Sequence, residues 1–70
     1  MPQTYLTSDI RQLRAQANLT QEELANQVGA VRQTIAYLEK GECMPSLALA
    51  WKIAQFFHKP IEEVFNLEVL

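Results

Sequence analysis

Residues able to make or break bonds are sparse in this chain of 70 residues. Its one cysteine, Cys43, and its one histidine, His58, have no catalytic partner close by in the sequence. A lone thiol can form neither an internal disulfide nor a cysteine-based metal site, so Cys43 reads as a free surface thiol. His58 reads as a helix-terminus residue rather than a ligand or a base. Glu22–Glu23 and Glu62–Glu63 are adjacent acids, but each pair falls in the first turn of an expected helix, where negative charge suits the macrodipole. No nucleophile, base and orienting group come together. The chain is therefore expected to be no enzyme and to need no metal or cofactor. What remains is GAVRQTIAYLEKG, Gly29 to Gly41, where Arg, Gln and Thr stand in succession at the head of an amphipathic stretch. The stretch reads like a helix that reaches into DNA, although it begins on Val31, where a polar capping residue is expected.

The totals bound this reading. The length suits one domain covering residues 1–70, and a core this small gains from dimerisation. The net charge of −2, with six Lys or Arg against eight Asp or Glu, weighs against a purely electrostatic nucleic-acid binder. The distribution softens that. Glu62, Glu63 and Glu68 crowd the last eleven residues, and residues 1–59 hold six positive charges against five negative. No apolar run approaches the roughly 18 residues that span a membrane. With no secretory leader and one cysteine, the expected setting is cytoplasmic, away from membranes.

The elements that must position GAVRQTIAYLEKG follow from local signals. Thr7 or Ser8 can cap a first helix carrying Ile10, Leu13, Arg14 and Ala17, with Asn18 as a left-handed stop. Thr20-Gln21-Glu22-Glu23 is a capping box that opens a second helix, and Leu24, Ala25 and Val28 give it an apolar face before Gly29. A third helix runs from about Val31 to Lys40 and stops at Gly41. Pro45-Ser46 opens a fourth, with Leu47, Leu49, Ala50, Ile53, Ala54 and Phe57 on a broad buried face. Pro60 opens a short fifth, Ile61 to Phe65. The ends, Gln3 to Leu6 and Asn66 to Leu70, are rich in strand formers and are expected to pair as a small antiparallel ribbon. The second and third helices, about residues 21–40, are joined only by Gly29-Ala30-Val31. That short glycine-containing link is the mark of a helix-turn-helix.

With Ala25 small at the helix crossing, Gly29 in the turn, and Ile35 and Leu38 facing inward, LTQEELANQVGAVRQTIAYLEKGECMPSLALAWKIAQFFHKPIEEVF resembles the Cro/lambda-repressor-type (XRE) helix-turn-helix family. The resemblance covers about Ile10 to Phe65. It implies an all-α fold, a compact five-helix domain, to which some short members add a terminal β-ribbon. It also implies a transcription regulator, most simply a repressor, that binds double-stranded operator DNA as a homodimer. Arg32, Gln33, Thr34 and Tyr37 on the recognition helix then contact bases. Gln21 and Lys40 contact phosphates, and Arg14 and Glu39 form a structural salt bridge.

Three positions depart from the family pattern. Val31 stands where Ser or Thr caps the recognition helix, Glu42 where a cation often meets phosphate, and His58 where Gly commonly ends the fourth helix. Apolar residues exceed what so small a core needs. A dimer interface over residues 60–70, with Phe65, Leu67 and Val69, accounts for the surplus. The rival reading is an antitoxin or adaptor whose main role is to bind a protein partner; net acidity, Glu42 and the missing cap favour it.

Overall fold

A computed structural model describes residues 4–69 of the chain. Five helices, α1 (Ile10–Gln16), α2 (Gln21–Val28), α3 (Arg32–Lys40), α4 (Leu47–Phe56) and α5 (Ile61–Val64), lie between two strands, β1 (Thr4–Ser8) and β2 (Phe65–Val69). Short-range chemistry accounts for most of the boundaries. The Thr20 hydroxyl accepts the Glu23 amide at 3.0 Å while the Glu23 carboxylate accepts the Thr20 amide at 2.9 Å, so α2 opens on a complete capping box. The Ser46 hydroxyl accepts the Leu49 amide at 3.1 Å and starts α4. Asn18, Gly29, Gly41 and His58 all adopt positive φ and end the first four helices.

The helices meet through one to three buried residues from each. Ile10, Leu24, Ile35, Leu38, Ile53 and Val64 are fully buried. Removing such a side chain from water stabilises the fold by roughly 1.5–3 kcal/mol. Leu47, expected in this face, is 78% exposed instead. It occupies the first position of α4, one turn before Ala50, so it projects beyond the end of the core.

The ribbon corrects the all-α expectation: the domain is five helices plus a two-stranded antiparallel sheet. Its described part runs from Thr4 opposite Val69 to Ser8 opposite Phe65. Gln3 and Leu70, expected to extend it, lie outside the described residues. The ribbon also displaces the expected caps of α1. Thr7 and Ser8 belong to β1, and α1 begins after Asp9 with no side-chain cap. The Asp9 amide instead donates to the Val64 carbonyl at 2.9 Å, tying α1 to α5. Directly opposed residues share a face of the ribbon. Leu6, Phe65, Leu67 and Val69 therefore form one apolar face. Its base, Leu6 and Phe65, is buried, while Leu67 and Val69 run out past the core.

The end of α3 rests on this ribbon. A Cβ added at Gly41 meets the backbone carbonyl oxygen of Leu6, whereas one added at Gly29 meets open space. Both glycines sit at left-handed φ, which costs any other L-residue about 1–2 kcal/mol. Chemical denaturation should therefore separate the two. Gly29→Ala should lose about 1 kcal/mol, and Gly41→Ala about 2 kcal/mol more, because backbone cannot rotate away from backbone. Equal losses would show that the ribbon does not hold the end of α3.

Candidate nucleic-acid interface

The turn Gly29-Ala30-Val31 sets α3 across α2. Leu24, Ala25 and Val28 face Ile35 and Leu38, and all five are buried. Burying that side of α3 leaves the opposite side in water. Arg32, Ala36 and Lys40 recur every four residues along it, with Gln33 and Tyr37 alongside. Together with Val31 these residues line one shallow, open depression. Arg32, Gln33 and Lys40 are exposed, Tyr37 is 40% exposed, and Ala36 is half-buried. The Gln33 amide donates to the Tyr37 hydroxyl at 3.1 Å.

A network behind the depression holds α3 to α1 and α2. Arg14 Nε donates to Glu39 Oε2 at 2.6 Å, and Arg14 Nη2 to Glu39 Oε1 at 3.1 Å. A third donor, Arg14 Nη1, reaches the Leu19 carbonyl at 2.9 Å. Gln21 Nε2 donates to Glu39 Oε1 at 3.2 Å. The side chains of Arg14 and Glu39 are only 16% and 7% exposed. The hydrogen bond to Glu39 raises the Arg14 pKa further. Burial works to raise the Glu39 pKa, but the hydrogen bonds from Arg14 and Gln21 and the charges of Arg14 and Arg11 outweigh it and lower the carboxyl. This is the only ion pair among the described residues, so Arg32 and Lys40 keep their charges uncompensated by contact.

The expected site residues do not all gather in one place. Arg32, Gln33, Tyr37 and Lys40 share the depression. Thr34, half-buried, lines a neighbouring groove with Ala30, Ser46 and Lys52. Gln21 is at the start of α2 beside Arg14, Glu22 and Arg32, with one amide proton already engaged by Glu39. Sequence reasoning missed Arg11, Ala36 and Lys52. Arg11 precedes Arg14 by one helical step and lines a groove with Gln21, Ala36 and Lys40, so the spacing held that signal. Lys52 carried none, because only the packing of α4 beside the turn brings it near Thr34.

The three departures also have places. Val31 is 65% exposed in extended conformation and offers no side-chain cap to α3. Glu42 is exposed beyond Gly41, outside the depression. His58 takes the left-handed turn itself, with φ 57°. Cys43, expected at the surface, is half-buried against the core. Phe65, expected in a dimer interface, is a core residue at 8% exposure, whereas Leu67 and Val69 are 61% and 64% exposed. Among the described residues no group of three or more His, Cys, Asp or Glu is placed to hold a metal, and no helix is long and apolar enough to cross a membrane.

Residues 10–64, the span that builds this geometry, match the helix-turn-helix family model. The chain belongs to the Cro/lambda-repressor-type (XRE) helix-turn-helix family. XRE proteins are DNA-binding transcriptional regulators. An uncharacterised HTH-type transcriptional regulator of Archaeoglobus fulgidus is 55% identical over 56 residues, covering 80% of this chain and 79% of that protein. The cryptic phage CTXphi transcriptional repressor RstR of Vibrio cholerae is 41% identical over 60 residues, covering 86% of this chain and 54% of its own. The restriction-modification controller protein C.AhdI of Aeromonas hydrophila superposes with a TM-score of 0.70 at 31% identity, covering 77% of this chain and 82% of that one. The XRE match ends at residue 64, so β2 lies beyond it.

Two outcomes follow from the site. Glu39 has a lowered folded pKa, so its stabilisation is complete above the ordinary carboxyl value of 4.5 and is lost as pH falls through the folded value. Glu39→Gln should cost about 2 kcal/mol at neutral pH, below the roughly 3–5 kcal/mol of a fully buried broken pair. It should also flatten the acid limb of stability measured by urea unfolding. An unchanged acid limb would assign that limb to other carboxyls. Val31→Ser supplies the missing cap and should add about 1 kcal/mol, raising Tm by about 4–8 °C in a domain of this size.

Proposed function

We propose that this chain is a sequence-specific, double-stranded DNA-binding transcriptional regulator. It acts as a homodimer on a pseudo-palindromic operator and represses by occupying the promoter. The observation that carries the reading is the outward face of α3. Two uncompensated cations, Arg32 and Lys40, flank an amide, a phenol and a small residue on one exposed, shallow surface. Such a surface suits the major groove, which admits a helix and presents donors, acceptors and methyl groups to it.

In this reading Arg32 donates a bidentate pair to guanine O6 and N7, and Gln33 bonds adenine N6 and N7. Thr34, at the edge of the face, meets a thymine methyl or the adjoining backbone, and Tyr37 lies beside Gln33. Gln21 and Lys40 bind phosphates on either flank, where the start of α2 adds its own donors. The rigid pair Arg14–Glu39 positions these groups and stays out of the contact. The setting is cytoplasmic, where one free thiol remains reduced. The name of RstR supports repression as the sign of regulation.

The exposed apolar face of the ribbon supports the dimer. Leu67 borders a groove with Leu6, Met44, Leu47, Ala50 and Ile61, and Val69 continues the same face. In this reading a second copy covers it, and the two recognition helices meet half-sites about one helical turn apart.

In vitro selection from random DNA, followed by titration, tests the proposal. The selected site should contain two related half-sites. Arg32→Ala should weaken binding about tenfold or more and relax preference at one base position. Lys40→Ala should weaken all sequences alike and lower the salt slope by about one. Leu67→Glu should give a monomer, seen by sedimentation, that binds the paired site poorly. Failure to bind DNA even at low salt, with a neighbouring gene product co-purifying, would replace this reading with that of a protein-binding adaptor.

A further inference from the structure

We infer that Tyr37 is a positioning residue that sets base specificity through Gln33, making that position select adenine and reject guanine. The inference rests on the proposed reading, in which Gln33 meets a base edge. Its own ground is the hydrogen bond of 3.1 Å from Gln33 Nε2 to the Tyr37 hydroxyl. No other side chain-to-side chain hydrogen bond among the described residues lies on the outward face of α3. The remaining ones all converge on Glu39.

An exposed pair four residues apart adds little to helix stability, because water competes for both groups. Its effect is on orientation. A glutamine amide holds two N–H donors and one carbonyl acceptor. Unrestrained, it can give both protons to guanine, whose major-groove edge shows two acceptors, N7 and O6. It can equally give one proton and accept one from adenine, which shows N7 as acceptor and N6 as donor. Tyr37 occupies one of the two protons. One donor and one acceptor remain side by side, the combination that adenine complements. Offered to guanine, the same amide sets its carbonyl oxygen against an acceptor. The Tyr37 hydroxyl, used here as an acceptor, keeps its own proton for a phosphate or a water. The ring is 40% exposed, so its oxygen remains within reach of DNA.

Tyr37→Phe removes the hydroxyl and keeps the ring. The base position read by Gln33 is the one whose preference disappears in Gln33→Ala. At that position the wild-type protein should favour adenine over guanine by about tenfold or more. Tyr37→Phe should reduce the ratio to about twofold while affinity for the adenine operator falls less. In the Gln33→Ala background Tyr37→Phe should change nothing further. The free protein supplies a second readout. The Gln33 side-chain amide proton that Tyr37 engages should be displaced from ordinary glutamine values in the NMR spectrum of the wild type and should return to them in Tyr37→Phe. An unchanged adenine-to-guanine ratio in Tyr37→Phe overturns the inference while leaving base reading by Gln33 intact. So does a Tyr37→Phe effect that persists without Gln33. If Gln33→Ala alters no base preference, base reading at this residue fails, and the positioning role fails with it.

Discussion

The bidentate pair between Arg14 and Glu39 is the contact on which the arrangement of this domain depends. It joins α1 to α3, with Gln21 of α2 as a third member on the same carboxylate. Hydrophobic burial alone lets short helices slide, because it is non-directional. A planar guanidinium facing a carboxylate does not slide; its two parallel bonds fix both distance and angle. Both side chains are mostly buried, so parting them leaves charge in a place poor in water. The pair also neutralises the Glu39 carboxylate against the Arg14 guanidinium. An isolated Glu39 would oppose Arg11 and Lys40, which border the same groove; bonded to Arg14, it is neutralised where it lies.

The ribbon supplies a second constraint just past the same, C-terminal end of α3. Gly41 lets the chain turn against the carbonyl of Leu6 with no side chain intervening. α3 is therefore held twice near its C-terminal end, by the ion pair at Glu39 and by close backbone contact at Gly41. The strand that receives its end belongs to the ribbon whose far part carries the exposed apolar face. The exposed Leu67 and Val69 are thereby joined, through the ribbon, to the end of α3.

An acidic total coexists with an exposed cationic surface on α3 because charge is sorted by place. Glu22 and Glu23 sit in the first turn of α2, and Glu62 and Glu63 in the first turn of α5, where the macrodipole favours them. Glu68 projects from the ribbon face opposite Leu67, paired across from Tyr5. The cations Arg11, Arg32 and Lys40 border connected grooves around α3 instead. Electrostatic attraction to DNA responds to that local cluster within a Debye length of about 8–10 Å more than to the net charge of the molecule.

The sequence by itself determined the features set by near neighbours along the chain. The capping box at Thr20, the left-handed stops at Asn18, Gly29 and Gly41, the Pro60 start and the inward faces of α2 and α3 each follow from a few consecutive residues. The outward identity of Arg32, Gln33, Tyr37 and Lys40 follows from the same periodicity. Tertiary structure decided what depends on meeting partners distant in sequence. Thr7 and Ser8 look like caps locally, yet pairing with Asn66 and Phe65 draws them into a strand. Phe65 looks like surplus apolar surface until the ribbon folds it into the core, and Leu47 looks like core until α4 begins at the core's edge. Lys52 comes near Thr34 only through the packing of α4 beside the turn. Local hydrogen bonding and period are written in order along the chain; the neighbours of a strand or a helix end are set by which surfaces the fold brings together.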